Sequence, residues 1–294
     1  MLRPPSHDTG TSSRRWPVTL APHIDELLSS WISRHAEFYA VPPLAMLRHC
    51  PPEASSLHAA NRRLNGDQVI RLAGVFSTEP ATVRRMTFSN IAPSSRRLLA
   101  AGPLQSCSAC HLANHEPIPI RRSQLLGWRI TCPLCGDLLR HTGRHGPPSP
   151  FRHYQNAALR GERLLDDEAE RGVRTWISPA EIARLLLMRR VPRPLPRRYE
   201  PWQFRVLGAI IPDLDGVVAM ERRNLPTPAS PILPLHLRPA LLAGVAIVER
   251  AGPEMLQMLR GQMMGQNQAR FSSAIDEITT HTCRSMASSQ LQLI

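Results

Sequence analysis

Apolar residues at Ile24, Leu27, Leu28, Trp31, Ile32, Phe38 and Tyr39 follow the i, i+3, i+4, i+7 spacing of an amphipathic helix. Asp25 and Glu26 then fall in its first turn, where the helix dipole favours negative charge. Val41, Pro42 and Pro43 end it, and a short second helix is expected over 44–49. Between 66 and 88 two apolar faces succeed one another, Leu72, Ala73 and Phe76 and then Val83 and Met86, with Ser77, Thr78, Glu79 and Pro80 between them. Pro80 suits the first position of a helix, capped by Thr78 or Glu79. Two short helices crossing at a tight turn are predicted. Ala73 is small enough to let them approach and Val83 fills the gap, the packing logic of a helix-turn-helix, although Ser77 replaces the usual turn glycine.

The second half is less regular. GRHGPPSP at 143–150 reads as a linker, and 157–171 as a helix with a charged outer face. Ser178, Pro179 and Glu181 give a further helix its cap, first-position proline and early acid, and Ile182, Leu185, Leu186 and Met188 its buried side. RRVPRPLPRR at 189–198, five arginines and three prolines, is expected to lie extended. Residues 201–234 show no clear period. An apolar helix returns over 237–250, Gly252 and Pro253 break it, and a shorter one runs to about Arg260. The expected fold class is mainly α: a flexible arm over 1–20, a helical domain with the helix-turn-helix over 21–103, a small four-cysteine zinc ribbon over 104–142, a C-terminal helical domain over 150–262 and a flexible tail over 263–294.

Charge sharpens this picture. The formal charge of +13 and a pI near 11.0 are carried by arginine alone, since the chain contains no lysine. An excess of 36 basic over 23 acidic residues points to an anionic partner, nucleic acid above all, because neutralising phosphates releases counterions. The first twenty residues lack the apolar stretch of a secretory signal, and the longest apolar run, 240–248, is too short to span a bilayer. A cytoplasmic location and no membrane partner are expected. In a reducing compartment, paired cysteines hold metals more often than they form disulfides.

Four of the six cysteines form two C-x2-C pairs, Cys107 with Cys110 and Cys132 with Cys135, 21 residues apart. Each such knuckle offers two sulfurs from one tight turn whose backbone amides also bond the thiolates, so the set is expected to hold zinc. Gly136 frees the chain to turn after the last cysteine. Four thiolates close the coordination shell, which makes the site structural rather than catalytic. His111, His115, His141 and His145 are nearby competitors, expected to stay solvated or to support the ligands. Trp128 and Ile130 are expected to pack beneath the site. A redox role is disfavoured because neither pair opens a helix in a recognisable βαβ unit.

PHIDELLSSWISR, then LAGVF and VRRMTF, then two C-x2-C pairs before DLL, together resemble the TniQ family of transposition accessory proteins over 17–140. ALLAGVAIVERAGPEM is only loosely similar to the helical parts of longer relatives. Family members commonly carry C-x2-C followed by C-x2-H, so Cys135 stands where histidine is usual, and sulfur replaces nitrogen without loss of coordination. The resemblance implies a non-catalytic role in target-site selection, linking a DNA site or target-bound complex to the transposition ATPase and transposase. DNA and those proteins are the expected partners, with a possible homo-oligomer and no small-molecule substrate.

For DNA contact, Thr82, Arg84, Arg85 and Ser89 are expected to face outward from the second helix of the turn motif, and Arg189, Arg190, Arg193, Arg197 and Arg198 to suit phosphates. Two other readings stay open. One is a protein-only adaptor that docks through the ribbon and the 237–250 helix; the other is a helix-turn-helix regulator unrelated to transposition. No catalytic residue is expected. The acids Asp166, Asp167 and Glu168, and Asp213 with Asp215, read as ordinary surface groups rather than a two-metal site. His49 beside Cys50 is an accidental pair, since adjacent helical residues point apart. No G-x-x-x-x-G-K-[ST] motif is present, so ATP hydrolysis would belong to a partner.

Overall fold

Asp25 adopts a left-handed backbone with φ 60°, and this one residue delays the first helix. The apolar pattern predicts a start near Ile24, yet Ile24 is 77% exposed and α1 spans Leu28–Phe38. Glu26 is therefore not a first-turn acid; it is buried, and its carboxylate accepts from Arg34 at 2.7 Å, Ser30 Oγ at 3.2 Å and the His23 amide at 2.9 Å. A carboxylate so committed cannot also lie along a helix flank.

The structure, a computed structural model, describes residues 15–50, 52–112, 119–141, 148–190, 205–219 and 232–291, with side chains as far as 278. It is mainly helical and divides into two units, residues 1–90 with 119–122, and residues 91–118 with 123–294.

In the first unit α1 is followed by α2 (Pro43–Arg48), α3 (Leu57–Arg62), α4 (Gly66–Val75) and α5 (Pro80–Arg85). Trp31, Ile32, Leu47, Leu72, Phe76 and Val83 meet in its core. Asn65 and Gln68 form a reciprocal capping box that starts α4. Pro80 opens α5 as expected, while the capping position, Glu79, makes no side-chain bond. Between the helices Ser77 takes φ 48°, so serine adopts the left-handed conformation that glycine usually supplies. Ala73 and Val83 are both buried at this junction.

The expected arm is partly held. Residues 1–14 lie outside the described residues, but Trp16 packs on the Tyr39 ring at 4.6 Å and the Leu20 amide donates to His35 Nε2 at 2.8 Å. Residues 119–122 complete the unit as a strap. Ile120 accepts from the Leu27 amide at 2.9 Å, and the Arg122 amide donates to the Asp25 carbonyl at 2.8 Å.

The second unit holds the ribbon and the later helices. Short strands β1 (Gln105–Ser106) and β2 (Arg140–His141) pair antiparallel, with α6 (Ser108–Leu112) between them in the chain. Then come α7 (Gln155–Arg171), α8 (Pro179–Leu186), α9 (Leu207–Ile210), α10 (Leu214–Ala219), α11 (Arg238–Ala251), α12 (Pro253–Gly261) and α13 (Gly265–Leu291). α8 begins as its sequence predicts, with Ser178 accepting from the Glu181 amide at 3.2 Å. Helix α11 is almost wholly buried against its neighbours α7 and α8. It is thus an interior helix, which corrects its assignment as a docking surface. Gly161 of α7 marks a close crossing, because a Cβ there would fall 2.0 Å from the Leu242 carbonyl oxygen of α11. The stretch expected as a tail forms α13, and its Phe271 and Ile275 are buried in the core. These apolar positions, four apart, give a Gln- and Ser-rich segment enough of a stripe to pack.

Candidate metal centre and nucleic-acid face

Two tight turns bring four sulfurs together. The ligand atoms of Cys107, Cys110, Cys132 and Cys135 all lie within 4.8 Å of one another. Cys107 to Cys135 is 3.4 Å, Cys110 to Cys132 3.8 Å and Cys110 to Cys135 3.7 Å. Sulfurs at about 2.3 Å from a tetrahedral metal stand about 3.8 Å from each other, so the residues fit a closed four-thiolate shell. None of the four is in a disulfide.

The local backbone explains the fit. Cys132 donates its amide to the Asp137 carbonyl at 2.8 Å and accepts from Gly136 at 2.9 Å, and Gly136 takes φ 80° to close the knuckle. The Cys132 thiol is buried, which pushes its pKa up, but hydrogen bonds from the Cys135 and Leu134 backbone outweigh that and hold it below the ordinary value. Among the described residues no histidine joins the cluster: His111 is exposed, and His141 lies 6.2 Å from the His236 ring. His115 and His145 are outside the described residues.

The 21 residues between the knuckles exceed the usual 15–20 of a zinc ribbon for a structural reason. Residues 119–122 fall in that interval, and they are the strap that pairs with the start of α1.

The ribbon rests on α7 and α11 through a buried polar clamp that sequence reasoning missed. Glu162 accepts from the Ile130 and Thr131 amides at 3.0 Å each and from Thr131 Oγ1 at 2.8 Å. Arg238 donates to Gln105 Oε1 at 2.7 Å and to the Arg129 carbonyl at 2.8 Å. Burial pushes the Arg238 guanidinium down to about 9, opposed by the Glu162 charge. Trp128 is buried as expected, and its indole N–H reaches Asp166 at 2.8 Å. One signal was available: Glu162 stands among Ala158, Leu165 and Ala169 on the apolar stripe of α7, where an acid must have partners.

The acids read as ordinary surface groups divide, because Glu168 is fully buried and Asp166 half-buried, each held by partners from elsewhere in the chain. Asp166 pairs with Arg129 at 2.8 Å, and Asp167 with Arg171. Glu168, fully buried, gathers Ser94, Ser178, the Ala180 amide and Arg174. Asp215 pairs with Arg190 at 3.2 Å, and Asp213 is exposed near His153. Among the described residues, the four cysteines are the only grouping able to hold a metal. Cys50 is buried, and burial pushes its thiol up to about 12, far from a nucleophile's range, while His49 is exposed and packs against Trp16.

The candidate DNA residues divide. Arg84 and Arg85 are exposed on α5, with Val83 before them buried; Arg85 also donates to Thr82 Oγ1 at 2.9 Å. Ser89 lies past the end of α5, where its hydroxyl accepts from the Leu64 amide at 3.2 Å. Arg189 bridges to Arg205 through the backbone, and the Arg190 side chain holds both the Arg205 carbonyl and Asp215. Arg193, Arg197 and Arg198 are outside the described residues. No described helix is long and apolar enough to cross a membrane.

No curated protein and no solved structure matches the chain. The TniQ family model matches residues 17–140, from the held end of the arm through the second knuckle, so over that span the chain is similar to the TniQ family.

Proposed function

We propose that this protein is a non-catalytic accessory factor that selects target sites for DNA transposition in the cytoplasm, with zinc as the metal of its four-cysteine site. In this reading α4 and α5 act as a helix-turn-helix, Arg84 and Arg85 reach the major groove with Thr82 beside them, and Ser89 fixes the turn behind them. Arg189, Arg190, Arg193, Arg197 and Arg198 would add phosphate attraction, and the body would bridge DNA to the transposition ATPase and transposase. The observation that carries the DNA half is the pattern on α5, two exposed arginines next to a fully buried valine. Such a helix is anchored from one side while offering bidentate donors on the other.

Mobility shifts on duplex DNA at two salt concentrations test it. With about six phosphates contacted, log affinity falls with log salt at a slope near −5. Arg84→Ala with Arg85→Ala is expected to weaken binding by about tenfold or more and to lessen sequence preference, while leaving stability within about 0.5 kcal/mol because both residues are exposed. Binding that is flat in salt and unchanged in the double variant would leave a protein-only adaptor as the better reading. Elemental analysis of protein purified without chelator is expected to return one zinc per chain.

A further inference from the structure

Beside the metal knuckles the second unit carries a cavity of about 570 Å³. Four stretches distant in sequence form it: the start of α6, the strand leaving the second knuckle, the entry to α7 and the entry to α11. Its floor is apolar, with Ile130, Leu139 and Leu235 buried, and Leu138 stands 58% exposed at the lip. Its rim is cationic. Arg140 and Arg152 are exposed there, and neither enters an ion pair among the described residues. His141 and His236 lie side by side, and Asp137 is the only acid among the described lining residues.

We propose that this cavity receives an extended segment of a partner protein in which a large apolar side chain is flanked by carboxylates. The volume is that of a pocket for one such side chain and its neighbouring backbone, within the roughly 300–1,000 Å³ usual for ligand sites. An apolar floor under cationic lips selects the combination: the apolar group is desolvated and the acids are steered and fixed in register. Nucleic acid fits less well, because the described lining residues include no Trp, Tyr or Phe on which a base could stack. The chain's own segment at 142–147, TGRHGP, carries neither an acid nor a large apolar residue. A second copy is disfavoured by charge, each chain bearing +13. The inference deepens the bridging half of the proposed function by giving the partner's chemistry, and rests on that reading only for the partner's identity.

Intact zinc-loaded protein is panned against a phage library of random twelve-residue peptides, and a fluorescein-labelled copy of the most enriched peptide is titrated by anisotropy. Enriched sequences are expected to hold Asp or Glu on both sides of a large apolar residue. Arg140→Glu with Arg152→Glu, and separately Leu138→Asp, should each weaken that peptide by about tenfold, since rim and lip contacts are both required. These residues are exposed, so the substitutions leave the core intact. The proposal is overturned by an absence of enrichment, by enriched peptides lacking acids, or by affinity that the variants leave unchanged. It is equally overturned if the variants instead abolish binding of a labelled single-stranded oligonucleotide, or a dimer seen by light scattering. Failure here with an Arg84-dependent shift of duplex DNA intact would remove the pocket and leave the DNA reading standing.

Discussion

His35 in the first unit and Glu162 in the second are both buried, at 0% and 3% exposure, and they are kept there by different means. His35 is neutral: its Nε2 accepts from the Leu20 amide, which places the proton on Nδ1, 2.9 Å from the Trp31 carbonyl. Trp31 and Phe76 meet it edge-on at 4.8 Å. Glu162 is instead a member of a charged set with Arg129 and Arg238. His35 is thus held by aromatic rings and backbone carbonyl and amide groups, whereas Glu162 is satisfied only when charged and polar groups distant in sequence arrive together. Arg238 and Gln105, for example, are 133 residues apart.

Removing the zinc proposed for the four cysteines should break this comparison most sharply. A structural zinc contributes on the order of 10 kcal/mol of folding free energy. Chelation is expected to lower the unfolding transition of the second unit by far more than that of the first. Calorimetry of the full chain, with circular dichroism to follow helix loss, checks this. Equal shifts of both transitions would show that the units do not differ in the way described.

Next in size is the clamp. Glu162→Ala leaves two amides and a buried guanidinium without their carboxylate, and is expected to cost about 3–5 kcal/mol, read as a lowered urea midpoint of the second unit. Two glycine substitutions then test packing in each unit. Gly161→Ala drives a methyl into the Leu242 backbone and should cost about 1–3 kcal/mol, or more if α7 and α11 cannot part. Gly74→Ala, within α4 and with no atom within 4 Å of the new Cβ, should stabilise by about 0.5–1 kcal/mol.

Acid response is the smallest effect and has opposite signs in the two units. Burial holds the His35 pKa below its ordinary 6.5, so the unfolded chain takes the proton more readily. Its contribution is fully present above about 6.5 and is lost as pH falls below it. Asp166 is raised by burial from 3.8 to about 6, despite Arg129, so its protonated form is favoured in the fold. Its contribution therefore grows as pH falls through 6 towards 3.8. His35→Gln and Asp166→Asn should each flatten one of these slopes in urea titrations run across pH.

The four-cysteine cluster was legible because its geometry is local: C-x2-C is itself a turn, and two turns, with Gly136 closing the second, suffice to bring four sulfurs within reach of one ion. Helices α4, α5 and α8 were legible from periodicity, and α5 and α8 also from proline at their first positions. The start of α1 was not. Ile24 continues the apolar spacing, but Asp25 turns left-handed and the strap pairs where the first turn would have been. Nor could 237–250 be separated from a docking helix, since a buried face and a sticky one have the same composition.

By itself, then, the sequence determined what depends on neighbours within a few residues: helix periods, caps, knuckles, and an arginine surplus that sets the sign of the field. Only the tertiary structure decided which charges are buried, which apolar helix is interior, and why the interval between the knuckles is long. Those outcomes turn on desolvation, and whether a carboxylate such as Glu162 is desolvated at all is fixed by residues that arrive from elsewhere in the chain.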